Sequence, residues 1–192
     1  MKRIHARILA VSVLLAAASP ATFAADGTIT FTGSVTGQTC TIAGNGGASD
    51  FTVALPTVST STLNAPDTIA GRTAFNITLS GCTPTGGNVA VYFEAGPNTD
   101  LTTGRLRNAA APAVATADTP AVTPADNVQI GVLNADFSPI SVGSAAASQN
   151  SQSVALAAGA ATLQYYAQYV ATGGAATAGA VTTTAQYSIQ YP

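Results

Sequence analysis

Acid–base or nucleophilic chemistry in this chain would have to run on carboxylates. His5 is its only histidine and Lys2 its only lysine, and both stand at the extreme N-terminus. A serine or cysteine nucleophile needs a base beside it, and beyond that first stretch the chain has no such side chain to offer. Among its eight carboxylates are Glu94, Asp100, Asp118, Asp126 and Asp136, scattered through turn-like contexts such as "PNTD" and "NADF". Hydrolysis by paired carboxylates needs two of them held at a fixed separation; solvated turn carboxylates do not supply that. Enzymatic activity is not expected, and no cofactor is.

Cys40 and Cys82 are the only cysteines. Two thiols without a histidine make a poor zinc centre, whereas an even count in an exported chain points to one disulfide. Closing that loop would stabilise the fold by roughly 4 kcal/mol. Three further motifs are weaker. "GNGGAS" (44–49) is glycine-rich but opens no helix, so a phosphate cradle is not expected. "NIT" at Asn76 matches a glycosylation sequon inside an apolar run. "LQYYAQYV" carries aromatic rings on both faces, which suits core packing or, as a lesser alternative, a sugar-stacking platform.

Export is read from the first 24 residues. Lys2, Arg3 and Arg7 precede the apolar run "ILAVSVLLAAAS", and Thr22 and Ala24 are small. This is the layout of a secretory signal peptide cleaved between Ala24 and Ala25. The run is shorter than the ~20 residues of a spanning helix, and no later segment is long and apolar enough, so the mature chain is expected to be soluble with no membrane span. Cleavage leaves Arg72, Arg105 and Arg107 against eight acidic residues. Such a chain lacks the dense basic face that phosphate contacts require, so nucleic acid is excluded as a partner. Residues 25–192 suit one domain.

The elements that would position these residues are strands. Short alternating or β-branched runs recur at 38–43, 51–55, 74–80, 88–94, 128–133, 153–157, 162–170 and 183–191, separated by Gly, Pro, Asn and Asp. No helix is expected after the leader. Many short strands with turn punctuation predict an antiparallel sandwich or barrel. The segment 109–127 is rich in Ala, Pro and Thr and is read as a surface loop, its prolines disfavouring central pairing. Two features are left without partners. The stretch "ADGTITFTGSVT" (25–36) has the period-2 pattern of a half-buried strand at the start of the mature chain. The last strand, "QYSIQY", ends one residue before the C-terminus, and nothing follows it to cover its free edge.

These segments together resemble the chaperone–usher fimbrial subunits of the type 1 pilin kind. "GTITFTGSV" resembles the family's N-terminal extension, "FNITLSGCTP" its second cysteine strand, "VQIGVLNADFSPISVG" a central segment, and "YYAQYVATGGAATAGAVTTTAQYSIQYP" its closing block. Gly179, fourteenth from the C-terminus, and the penultimate Tyr191 fall where the family has glycine and tyrosine.

The resemblance implies an all-β, incomplete immunoglobulin-like sandwich that lacks its last strand and is completed by donor-strand exchange. It divides the chain into a signal peptide (1–24), an N-terminal extension or donor strand (25–36) and a pilin domain (37–192). The donor residues would be Gly27, Ile29, Phe31, Gly33 and Val35, with Gly27 outermost. The acceptor groove and C-terminal strand would be marked by Gly179, Tyr187, Ile189 and Tyr191. An apolar channel is expected beside "QYSIQY". The implied partners are other pilin subunits in a head-to-tail homopolymer or co-polymer, a periplasmic chaperone and an outer-membrane usher. The function so implied is a structural subunit, a major shaft subunit above a minor adaptor, of an adhesive fimbria exported through the periplasm to the cell surface. The alternative of another class is a secreted single-domain adhesin or lectin-like module.

Overall fold

A computed structural model describes residues 29–30, 32–116 and 120–192, which fall into two units, 1–35 and 36–192. In the first unit, the described residues form neither helix nor strand. Ile29 is 78% exposed and Val35 101%, and Gly33 is exposed between them. The leader expected over 1–24, Gly27 and Phe31 of the expected donor strand, and Asp118 lie outside the described residues.

The second unit is built of two antiparallel sheets. β1 (Thr39–Gly44) pairs with the long β2 (Ile69–Thr83), and β2 pairs with β9 (Ala161–Ala171). β9 pairs with β6 (Val128–Leu133), whose far edge is shared end to end by β5 (Arg105–Arg107) and β7 (Pro139–Ile140). β4 (Thr99–Asp100) closes that side against β5. The second sheet has the order β10-β3-β8, from β3 (Asn88–Phe93), β8 (Ser153–Ala155) and β10 (Tyr187–Gln190). The disulfide joins Cys40 to Cys82 and ties β1 to the end of β2.

Alternation places the core between the sheets. Phe75, Ile77 and Leu79 of β2 face inward with Leu163 and Tyr165 of β9 and Ile130 and Val132 of β6; Val89, Val91 and Phe93 of β3 meet them. Tyr165 is fully buried, edge-on to Phe93 with ring centroids 5.4 Å apart, and its hydroxyl lies 3.4 Å from Ser151 Oγ. Burial pushes its phenol pKa up. β8 pairs only with Asn88–Ala90, so β3 would leave backbone groups unpaired beyond it. Gln149 fills that place: its side-chain amide donates to the Phe93 carbonyl at 2.8 Å and accepts from the Phe93 N–H at 2.7 Å.

Several expectations are corrected in detail. Residues 51–55 alternate as a strand would but join no ladder among the described residues. Two short helical turns do form among the described residues, a 3-10 turn at Thr60–Thr62 and the α-helix α1 (Ala146–Gln149); the N-cap of α1, Ala145, makes no side-chain cap, so its start carries no sequence signal. The strands β4, β5 and β7 are too short for a visible period. The loop at 109–127 pairs locally, through an Ala113–Val122 bridge. Among the described residues no helix is long and apolar enough to cross a membrane.

Candidate functional site

After β1 the chain turns at Asn45 and Gly46, both at positive φ, bends at Ser49 and Asp50, and returns as the segment 51–55. Its Phe51, Val53 and Leu55 are half-buried, while Thr52 and Ala54 are exposed. These inward residues form one wall of a groove of about 960 Å³; residues 181–188, leading into and through the start of β10, form the other. The floor is the sandwich core itself, with Phe75, Ile77, Phe93, Ile130, Val132 and Ala167 among its residues. Of the last strand, along which a channel is expected, the groove reaches Gln186, Tyr187 and Ser188.

Backbone accounting gives the groove its chemistry. Among the described residues, the backbone of 50–58 makes no hydrogen bond, and neither does that of Thr183, Thr184 or Ala185. Among the described residues, β10 pairs with β3 on one side and with no strand on the other. Thr183 Oγ1 is buried without a partner among the described residues. Two extended walls with unpaired N–H and C=O groups, over an apolar floor, are what an added β-strand requires: ladder bonds give affinity, and alternate side chains fill the floor.

The expected acceptor residues take different places. Tyr187 lines the groove, whereas Ile189 and Tyr191 are half-buried against the core beyond it. Gly179 is not part of the lining. A Cβ there would stand 2.5 Å from Ala125 N and from the Pro124 carbonyl carbon, so its glycine serves a close backbone crossing, where Ala180 bridges to Pro124. The wall formed by Phe51, Val53 and Leu55 was not foreseen as part of the site. Its alternation was visible in the sequence, but the missing ladder partner was not.

The carboxylates are not gathered. Asp100 accepts from Gln129 Nε2 at 2.8 Å and from the Thr102 N–H at 3.0 Å, with Arg107 at 3.3 Å; these contacts, Gln129 foremost, hold its carboxyl below the ordinary aspartate range. Asp136 accepts from the Ser138 hydroxyl and N–H, which lower its pKa in the same way. Glu94 accepts from the Ser188 hydroxyl at 2.7 Å, and Asp126 is exposed. Among the described residues, no cluster of three His, Cys, Asp or Glu side chains is placed to hold a metal ion.

The family model described as "Type-1 fimbrial protein, A" (FimA) matches residues 55–192. The chain belongs to the type-1 fimbrial protein family. This fimbrial protein is 48% identical over 182 residues to the major fimbrial subunit SMF-1 of Stenotrophomonas maltophilia (strain K279a), covering 93% of this chain and 99% of that one. It is 46% identical over 186 residues to the F17 fimbrial protein of Escherichia coli, covering 94% and 96%. Among solved structures, the P pilus rod subunit PapA matches with a TM-score of 0.57 at 19% identity, over 80% of this chain and 99% of that one, a likeness of fold.

Proposed function

We propose that this fimbrial protein polymerises by lending residues 25–36 of one copy to the groove of the next. The observation that carries the reading is the apolar groove with unpaired extended backbone on both walls. The occupant is argued from the first unit, where Ile29 and Val35, spaced for one face of a strand, are left exposed. Ile29, Phe31 and Val35 would enter the groove with Gly33 between them and Gly27 outermost. Burying the three side chains contributes roughly 1.5–3 kcal/mol each. Ordering the segment costs about 1–2 kcal/mol per residue, so the ladder to both walls must supply the difference.

A donor at one end and an acceptor elsewhere make a heterologous contact, which propagates as an open filament. The chain is on this reading a repeating structural subunit at the cell surface, without a catalytic role, and the likeness to a major fimbrial subunit favours the shaft. Before assembly the same edge suits a periplasmic chaperone lending its own strand, with exchange at an outer-membrane usher. Hydrogen exchange tests the groove directly. The amides of 51–55 and 183–185 should exchange slowly in filaments and fast in subunits held open; equally fast exchange in both would contradict strand insertion.

A further inference from the structure

The groove is bridged at one end. The Tyr187 hydroxyl, on one wall, donates to the Ser49 backbone carbonyl on the other at 2.7 Å. Its ring stands edge-on to Phe51, centroids 6.5 Å apart, and Phe51 in turn meets Phe75 of the floor at 6.1 Å. No other hydrogen bond joins segments 49–55 and 181–188 among the described residues. Burial, with the Asp50 carboxylate beside it, holds the Tyr187 phenol above the ordinary tyrosine range, so the hydroxyl keeps its proton at neutral pH.

We propose that Tyr187 is a gate residue: its contacts with Ser49 and Phe51 close one end of the groove and must break before an incoming strand occupies the full length. The proposal rests on the reading that a strand of a second copy enters here. A strand inserted between two others lies about 4.7–4.9 Å from each. A side chain of one wall bonded to the backbone of the other therefore stands in the space that strand would take. Tyr187 also holds the Ser49 carbonyl, an acceptor that the wall would otherwise offer the newcomer. The bridge is one neutral hydrogen bond and one ring edge, so it slows entry without forbidding it.

The test uses the full chain carrying Ile29→Asp in every form, so that its own extension does not compete. A synthetic peptide of residues 25–36 is added, and capture is followed by native mass spectrometry. Tyr187→Phe keeps the ring and loses the donor. It should capture the peptide about two- to tenfold faster, the factor that one net hydrogen bond corresponds to. Tyr92→Phe, a control on β3 outside the groove lining, should leave the rate unchanged. Equal or slower capture by Tyr187→Phe, or equal acceleration by Tyr92→Phe, overturns the gate. Failure of all forms to capture the peptide overturns the gate together with the strand-acceptor reading beneath it.

Discussion

Ile29→Asp is expected to give a folded, disulfide-bonded subunit that does not extend a filament. In the subunit, Ile29 is 78% exposed, so the substitution should change its stability by no more than about 0.5 kcal/mol. On the proposed assembly, the same position faces the apolar groove of the next copy. The change removes the roughly 1.5–3 kcal/mol of isoleucine burial, and an unpaired buried carboxylate costs about 3–5 kcal/mol more. Together these weaken each junction by three or more powers of ten, since about 1.4 kcal/mol is one. Electron microscopy of surface filaments, beside thermal melts of the purified subunit, reads both halves. Normal filaments from this variant would remove Ile29 from the interface. A lectin-like module, by contrast, would keep its activity without any contribution from this segment.

Removing the disulfide should have the largest effect on the fold itself. The Cys40–Cys82 bridge spans a sequence separation of 42, for which loop-closure entropy gives about 4 kcal/mol. β1 needs that help. It is an edge strand whose register with β2 shifts between Thr39 and Thr41, on either side of Cys40. It also leads directly into the 49–55 wall, so a loosened β1 frees one side of the groove. Cys40→Ala with Cys82→Ala should lower the melting temperature by about 8–16 °C, at roughly 2–4 °C per kcal/mol for a chain of this size. A fall of only a degree or two would mean that the ladder with β2 alone holds the edge.

What was legible in the sequence follows from what fixes each element. β2, β3, β6 and β9 have long apolar periods on a buried face, and all stand close to the expected runs. β2 extends beyond the expected 74–80, past Gly71 and Gly81 at positive φ, where a strand boundary would be read. β4, β5 and β7 are two or three residues each and exist because β5 and β6 offer them an edge, a tertiary cause that leaves no period. The groove was half legible. An uncovered last strand implies a vacancy, but its opposite wall reads as an ordinary strand, because a missing ladder cannot be seen in a side-chain pattern. Only residues 187–190 of the expected 183–191 strand are paired, for the same reason. Gly179 shows the limit from the other side: the resemblance marks it as a groove residue, whereas it lies off the groove lining at a close backbone crossing with Pro124 and Ala125, which depends on contacts remote in sequence.

On the donor-strand reading, residues 25–36 of each copy belong to the core of its neighbour. Limited proteolysis with mass mapping measures this most directly, comparing intact filaments with isolated subunits under one protease. Bonds between Ala25 and Val35 are expected to be cut readily in the subunit and to resist cleavage in the filament. Cutting at the same rate in both would place the extension outside the groove and contradict donor-strand assembly.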